Sequence, residues 1–205
     1  MKKLLLATAL AALGFATAAN ATITISPGSG PNFGTFDNNA VGSTSGTSNT
    51  LYGPITFSTT GGGFVTDTSV VDQYAQPAGD LSNYLFAAGG GTATVQWDHA
   101  LTSFDIYWGS IDSYNTLFTL GNGDSITGTQ VAAALGVTDG GTISEWVQIS
   151  DTDAFSGFTA TSASAAFEFD MAAAPEPATW AMLLLGFAGL GLAGRRAVRR
   201  EAASA

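Results

Sequence analysis

The chain has 205 residues, a formal net charge of −10 at pH 7, one histidine and no cysteine, so disulfide bonds and thiol chemistry are excluded. All six Lys and Arg lie within the first three and the last eleven residues, which leaves residues 22–174 with 14 acidic side chains and a formal charge of −14. Because nucleic-acid phosphates are contacted mainly by Lys and Arg, this composition excludes nucleic acid as a partner.

The N-terminus has the three parts of a secretory signal peptide. Lys2 and Lys3 form the positive region, residues 4–18 form the apolar region, and residues 19–21 are an Ala-Asn-Ala cleavage site. We therefore predict that residues 1–21 are removed on export and that the mature chain begins at Thr22. An N-terminal anchor that stays uncleaved is the alternative.

Residues 22–171 read as one all-β domain. Gly, Ser, Thr, Asn and Asp dominate the connections, and the segments between them alternate apolar and polar residues or form short aromatic and β-branched runs. Short strands at this spacing favour a single β-sandwich or jelly roll over a barrel or an α/β fold. One short helix is predicted at Val131–Leu135. The clearest predicted strands are residues 22–26, 55–59, 93–97, 101–108, 115–120, 146–149 and 165–170.

Other segments give weaker patterns. Residues 37–50 lack periodicity and predict a long exposed loop, whereas residues 160–165 fit either a short strand or a turn. In the last predicted strand, Phe167 and Phe169 lie on one face and Glu168 and Asp170 on the other, which is typical of a half-buried strand with its acids in solvent. Residues 172–175 are the predicted linker to the C-terminal segment.

The C-terminal segment combines three unlike features in a fixed order. A Pro175-Glu176-Pro177 triplet is followed by Trp180 and Ala181, then by an uncharged run and an arginine cluster. The uncharged run, residues 179–194, would be about 24 Å long as a helix, against about 30 Å of bilayer hydrocarbon. The arginines favour a cytoplasmic C-terminus, so we predict a short transmembrane helix followed by residues 201–205 as a cytoplasmic tail. An ordinary single-pass anchor is the alternative.

This segment, which we assign to residues 172–200, resembles the PEP-CTERM sorting signal of Gram-negative bacteria in its PEPxxWA form. The resemblance implies recognition by an exosortase in the inner membrane and transfer of the mature protein to the cell surface or the extracellular matrix. The residues that carry the resemblance are Pro175, Glu176, Pro177, Trp180, Ala181, Arg195, Arg196, Arg199 and Arg200.

A second resemblance covers part of the domain itself. Residues 103–117, together with residues 166–170, are similar to the ectodomains of many exosortase-dependent surface proteins, in which a strand ending in Gly-Ser is followed by Asp-x-Tyr-Asn. The closing strand of those domains alternates aromatic and acidic residues, and the resemblance implies a jelly-roll, galactose-binding-like sandwich. This chain departs from the pattern at Met171, where Asn is common, which argues against a ligand inherited at that position.

Enzymatic activity is not expected. His99 is the only histidine, and no Gly-x-Ser-x-Gly sequence is present to form a nucleophile elbow. The pairs Asp151/Asp153 and Glu168/Asp170 leave a carboxylate-based glycosidase open as an alternative, but such pairs are equally expected of solvated strand edges.

Binding is the more natural function, and carbohydrate is one candidate ligand. Sugar sites place flat aromatic rings beside carboxylate and amide groups, and one predicted turn carries all three chemistries. The alternative is that Trp108 and Tyr114 belong to the core or its rim. The candidate residues are Tyr107, Trp108, Asp112, Tyr114 and Asn115.

Calcium is the second candidate ligand. Hard cations need several oxygen ligands on flexible turns. Asp37, Glu168 and Asp170 are the candidate set, implied by resemblance to jelly rolls in which a ligand near the first strand meets acids of the last. The alternative is that these acids are solvated.

We therefore expect an exported, exosortase-processed surface or matrix protein that acts by adhesion or by binding extracellular polysaccharide. Its partners would be the exosortase and the inner membrane during sorting, and polysaccharide afterwards. A secreted polysaccharide hydrolase is one alternative. An ice-binding surface protein is another, because related C-terminal tails occur on ice-binding proteins. Against ice binding, the Thr-x-Thr pairs Thr22/Thr24 and Thr92/Thr94 are isolated along the chain.

Overall fold

The computed structural model describes residues 22–30, 32–121, 123–138, 140, 143–174, 185, 187 and 188. The predicted signal peptide, the cytoplasmic tail and all nine residues of the sorting signal lie outside this part of the chain, as does most of the predicted transmembrane helix. Within the described residues, no helix is long and apolar enough to cross a membrane.

The described chain is mostly β-structure with one short helix, so the predicted all-β class is confirmed. The strands pair in antiparallel fashion in one curled sheet. The elements are β1 (Ile23–Pro27), β2 (Ser45–Thr50), β3 (Gly53–Thr60), β4 (Val65–Thr66), β5 (Tyr84–Ala87), β6 (Thr92–Trp108), β7 (Asn115–Leu120), β8 (Ser125–Thr127), α1 (Gly128–Leu135), β9 (Glu145–Ser162) and β10 (Phe167–Met171).

Two long strands, β6 and β9, form the spine of the sheet. They pair from Thr92 to Gln96 and again from Ser103 to Trp108, with register shifts between these stretches. The first stretch of β6 pairs with β3, and the last residues of β6 pair with β10. The register shifts therefore divide the sheet into two halves that share both spine strands. We call them the β3 half (β2, β3, β6, β9, β7, β8) and the β10 half (β4, β5, β10, β6, β9, β1).

The two halves enclose one hydrophobic core. Phe158 lies in the β3 half and Phe169 in the β10 half, and their ring centroids are 5.4 Å apart. Phe104 stacks on Phe158 at 5.1 Å, next to the register shift of β6. All three rings are fully buried. The sheet continues from one half into the other through bent strands and curls around this core, so the finer prediction of a sandwich stays a prediction.

Helix α1 is longer than the predicted Val131–Leu135. Its first turn is fixed by a capping box, in which Gln130 N donates to Thr127 Oγ1 at 3.3 Å and Thr127 N donates to Gln130 Oε1 at 2.8 Å. Gly136 ends the helix in the left-handed conformation, with φ of 69°. The cap residues are polar and lie outside the apolar pattern, which is why the predicted helix began too late.

The prediction of a loop throughout residues 37–50 was wrong, because residues 45–50 form β2 and pair with β3 along its whole length. Ser48 and Thr50 are buried, and Asn39 Nδ2 donates to Ser48 Oγ at 2.7 Å. A strand made only of Ser, Gly, Thr and Asn carries no apolar alternation, so its pattern could not be distinguished from that of a loop. For residues 160–165 the sequence fitted either a short strand or a turn, and the structure contains both. Residues 160–162 end β9, and residues 163–165 form a bend.

Backbone pairing continues past the predicted domain end at residue 171. Ala172 is fully buried, and its carbonyl accepts a hydrogen bond from Leu51 N at 2.7 Å. Ala173 forms a bridge with Thr50 and donates to Asn32 O at 3.3 Å, and Ala174 N donates to Asn49 O at 3.3 Å. The folded part of the chain therefore reaches Ala174, within the predicted linker.

The outer face of the β3 half carries an ordered array of hydroxyl groups. In the strand register, one row across five strands consists of Thr60, Thr92, Thr161, Thr116 and Thr127. The next row consists of Ser58, Thr94, Thr159, Phe118 and Ser125. We call these two rows the threonine face. They contain no charged residue, although the domain has a formal charge of −14.

Candidate functional site

The acids of β10 lie on the sheet face opposite the hydrophobic core. Phe167, Phe169 and Met171 point into the core, and Glu168 and Asp170 point the other way, as the alternation predicts. However, Glu168 is only 2% exposed and Asp170 is fully buried, so the expected solvated edge was wrong. Residues 32–37 and 69–82 cover this face and supply hydrogen-bond donors to both carboxylates.

Asp170 is held by the segment that follows β1. Its Oδ2 accepts from Gly34 N at 2.7 Å and from Ser82 Oγ at 3.2 Å, and its Oδ1 accepts from Met171 N at 2.7 Å. Burial raises the pKa of Asp170 well above its ordinary value, and the charge of Asp80 adds to the effect, while the three hydrogen bonds oppose it. The carboxyl group therefore ties two outer segments to β10 at the expense of burying a titratable group.

Asp80 is buried beside Asp170. Its Oδ1 accepts from Ser82 N at 2.8 Å and from Ser82 Oγ, whereas Oδ2 has no hydrogen-bond partner among the described residues. Burial raises its pKa, the Ser82 bonds oppose the rise, and the charge of Asp37 adds to it. Asp37 is exposed and accepts from Asn83 N at 2.8 Å.

The three predicted calcium ligands do not converge on one point. Asp37 and Asp170 both lie near Asp80, but Glu168 bonds to Ala75 in a different part of the face. Across the described residues, no three Asp, Glu or His side chains are grouped so that they could hold a metal ion. The predicted set therefore does not fit a calcium site as it stands.

A cleft of about 310 Å³ opens beside Glu168, and we call it the first cleft. Glu168 Oε1 accepts from Ala75 N at 2.7 Å, while Oε2 is buried with no hydrogen-bond partner among the described residues. Burial raises the pKa of Glu168; the bonds from Ala75 and Ser110 oppose this rise, and the charge of Asp112 adds to it. The residues lining this cleft include Ser69, Asp72, Tyr74, Ser110, Asp112, Tyr114 and Glu168.

The β6–β7 connection forms one wall of the first cleft. Tyr114 Oη donates to Asp112 Oδ2 at 2.7 Å, and Asn115 Nδ2 donates to Ser110 O at 2.9 Å. Asp112 is 5% exposed and Asn115 is fully buried. Asn115 therefore shapes the loop from inside, and Asp112 and Tyr114 are the members of the predicted sugar set that line the cleft.

The other two members of the predicted sugar set do not line it. Trp108 is fully buried and stacks on Phe167 at 4.3 Å, so it cannot contact a sugar, and its packing alternative is confirmed. Tyr107 is 7% exposed, its hydroxyl donates to Ala78 O, and its ring packs on Phe33 at 4.7 Å. Both side chains build the scaffold behind the cleft.

Tyr74 separates the first cleft from a second cleft of about 300 Å³. Both clefts are lined by Asp72, Gln73, Tyr74 and Ala165. Tyr74 stacks on Phe86 at 4.4 Å, which fixes its ring. The sequence analysis did not single out Tyr74, because residues 67–82 show neither helical nor strand periodicity.

Two strained backbone positions border the first cleft. Asp72, with φ of 62°, and Ser110, with φ of 51°, are the non-glycine residues of the described chain that have positive φ. Left-handed conformations are unfavourable for residues with a Cβ atom and often mark functional sites. That both such residues line the same cleft supports its choice as the candidate site.

The groups suggested for other chemistry lie elsewhere. His99 is exposed, and its Nδ1 lies 2.6 Å from Asp98 Oδ1. Asp151 and Asp153 lie on β9, where Asp153 N donates to Asp151 Oδ1 at 3.0 Å. Neither group lines the first or the second cleft.

Comparison with known families bears on the C-terminus. The family model of the PEP-CTERM protein-sorting motif matches residues 173–200. The chain carries a PEP-CTERM sorting motif. No curated protein and no solved structure matches the chain.

The PEP-CTERM motif implies processing by an exosortase at the membrane and export to the cell surface. Its first two matched residues, Ala173 and Ala174, are also hydrogen bonded into the folded domain. The motif therefore joins the domain directly, and the described domain is the part that the motif delivers.

The buried carboxyl groups predict an unusual dependence of stability on pH. Because Asp80, Glu168 and Asp170 have raised pKa values in the fold, their stabilising contribution is complete below about pH 4 and is lost as pH rises through the raised values. The melting temperature of the full-length chain in non-ionic detergent and chelator should fall from pH 4 to pH 7. Glu168→Gln should raise it at pH 7 and flatten the profile.

Asp98→Asn is the matched control, since it removes one exposed charge and should leave the slope nearly unchanged. A melting temperature that rises from pH 4 to pH 7 would contradict this prediction. Repeating the pH 7 measurement with millimolar calcium tests the calcium expectation, because an ion that binds only the folded state raises the melting temperature with its concentration. No rise beyond that given by sodium would reject calcium binding.

Proposed function

We propose that this chain is an exosortase-sorted protein of the cell surface or extracellular matrix, whose ectodomain binds polysaccharide without cleaving it. The main support is the first cleft, in which Tyr74 and Tyr114 lie beside Asp112 and Glu168. The domain that contains this cleft ends in a sorting motif. We also propose that the curled sheet belongs to the jelly-roll, galactose-binding-like class.

The lining of the first cleft supports a sugar ligand. Tyrosine rings offer flat apolar surface with a polar edge, and carboxylates accept hydrogen bonds from sugar hydroxyls. A volume of about 310 Å³ is at the lower end of small-molecule sites, which span about 300–1,000 Å³. A short stretch of a glycan chain fits these dimensions. The second cleft, on the other side of Tyr74, offers room for the chain to continue.

The hydrolase alternative rests on the same carboxylates. A carboxyl group with a raised pKa, such as Glu168, beside a second acid, Asp112, is the pattern of a glycosidase acid pair. However, Oε1 of Glu168 is engaged by Ala75, and Oε2 has no contact with solvent. Because a general acid must reach the leaving oxygen, this burial supports binding rather than catalysis.

If polysaccharide binds at the first cleft, its affinity should depend on the aromatic ring of Tyr114. Tyr114→Ala in the full-length chain should weaken retention on neutral polysaccharide about 3- to 10-fold, because the ring supplies contact area. Tyr114→Phe keeps the ring and should retain most of the affinity. Affinity electrophoresis over a polysaccharide panel, with reducing-end release measured in parallel, provides the test.

Phe118→Ala is the control, since Phe118 is an exposed ring on the threonine face. Equal losses in Tyr114→Ala and Phe118→Ala would move the site away from the cleft. Release of reducing ends by the unmodified chain would establish the hydrolase instead.

The sorting half of the proposal predicts a membrane-trapped precursor. Glu176→Ala, or neutral replacement of all four C-terminal arginines, removes a distinguishing feature of the motif. The altered precursor should accumulate in the inner membrane of a host with an active exosortase, as judged by cell fractionation. Unchanged release, or release that persists after the exosortase is deleted, would contradict exosortase-dependent sorting.

The threonine face favours a second candidate function, adsorption to ice. Its side chains repeat about every 4.8 Å across the strands and about every 6.7 Å along them, so they form a regular two-dimensional array. Its central hydroxyls also bond to one another, as with Thr60 and Thr92 at 2.8 Å and Thr94 and Thr159 at 3.1 Å. The absence of charge on the two rows further supports contact with an ordered water surface.

Ice adsorption predicts inhibition of ice recrystallisation by the unmodified chain at micromolar concentration. Thr92→Lys places a long charged side chain within the first row of the face, between Thr60 and Thr161, and should abolish the inhibition. Thr102→Lys, at an exposed position of β6 outside both rows, should not. Ice crystals that coarsen at the same rate with and without the unmodified chain would rule this function out.

A further inference from the structure

The proposed sugar site has an uncompensated negative charge. Asp72, Asp112 and Glu168 all line the first cleft, and residues 22–174 contain no Lys or Arg. His99 does not line either cleft and is paired with Asp98. Because low-dielectric walls concentrate the field of charges inside a cleft, the first cleft attracts cations and repels anions.

An acidic lining alone would not identify a ligand, but Glu168 adds a second observation. Glu168 is only 2% exposed, and its Oε2 has no hydrogen-bond donor among the described residues. A buried carboxylate with an unsatisfied oxygen is unfavourable unless it takes up a proton, as the raised pKa of Glu168 favours, or a positive charge lies near it. Residues 22–174 contain no Lys or Arg to supply that charge, so a cationic ligand can supply it.

We propose that the first cleft selects a polysaccharide of amino sugars with free amines, which bind in their ammonium form. This rests on the proposed function, and it names the class of sugar polymer that the cleft takes. An ammonium group in the cleft interacts with the carboxylates of Asp112 and Glu168 through its charge, without having to reach the buried Oε2.

The sugar ring and the amine have separate contacts in this arrangement. Tyr114 and Tyr74 offer their rings to the apolar faces of successive sugars, while the carboxylates act on the amine of one of them. An N-acetylated polymer keeps the ring contacts but lacks the charge. A uronic acid polymer brings a like charge and is repelled.

Calorimetry on the full-length chain in non-ionic detergent tests the proposal with three ligands of equal length. These are a glucosamine hexamer, an N-acetylglucosamine hexamer and a galacturonate hexamer, each at low and at physiological salt. We expect the glucosamine hexamer to bind at least about tenfold more tightly than the N-acetylated one, and the galacturonate hexamer to show no binding.

Two isosteric variants and a charge-matched control test whether the preference for glucosamine arises in the first cleft. Asp112→Asn and Glu168→Gln should each reduce the preference for glucosamine several-fold, while Asp98→Asn removes one exposed charge that lies outside both clefts and should leave it unchanged. Melting curves show whether each variant is folded, and the two cleft variants give independent readings of the same effect.

The outcomes distinguish a failure of amine selection from a failure of polysaccharide binding. Equal binding of the glucosamine and N-acetylglucosamine hexamers would overturn amine selection and leave polysaccharide binding standing. Equal losses in Asp98→Asn and Asp112→Asn would also overturn it, because attraction to the overall charge would then explain the preference. No binding of any hexamer, together with no retention on the polysaccharide panel, would reject the proposed function itself.

Discussion

The structure depends on how carboxylates are buried in a domain that has no Lys or Arg. With no Lys or Arg available, each buried acid must be met by backbone N–H groups and hydroxyls. Gly34 N, Ser82 Oγ and Met171 N meet Asp170, and Ala75 N meets Glu168. These bonds attach two irregular segments to the outer face of β10. The first cleft lies between one of these segments and the β6–β7 connection. The hydrogen bonds that hold the segment on the sheet therefore also form the candidate site.

The division of the sheet into two halves places two different surfaces on one core. The β10 half is covered on its outer face and carries acids, tyrosines and strained backbone positions. The β3 half is open on its outer face and carries uncharged hydroxyls in register. Because β6 and β9 run through both halves, the two surfaces are rigidly linked. A ligand could therefore occupy either surface without obstructing the other.

The sequence predicted those features that follow from apolar alternation. Strand β7 was predicted with the bounds that it has, and the alternation of Phe167 to Asp170 correctly separated core from outer face. The same alternation could not reveal that residues 69–82 cover the acids, because this cover depends on long-range hydrogen bonds. Tyr74 was missed for the same reason. Strand β2 was missed because its residues are all polar or small.

The threonine face shows a different limit of sequence reading. A search for Thr-x-Thr repeats along the chain finds isolated pairs, because the repeat runs across strands that are far apart in sequence. Thr60 and Thr92 are 32 residues apart, and Thr94 and Thr159 are 65 apart, yet each pair is directly hydrogen bonded. Only the strand register brings the rows together. Registers of this kind depend on the bulges of β6 and β9, which no local pattern specifies.

The bonds at the end of the domain have a mechanical consequence. Ala173 and Ala174 belong both to the sorting motif and to the folded sheet, where they bond to Asn32 and Asn49. While the tail is held at the membrane, drag from moving water on the ectodomain is transmitted along the chain to these bonds. The force therefore acts at the same time on the segment after β1, through Asn32, and on strand β2, through Asn49. Flow across the cell would therefore loosen the C-terminal end of the sheet before it disturbed the core.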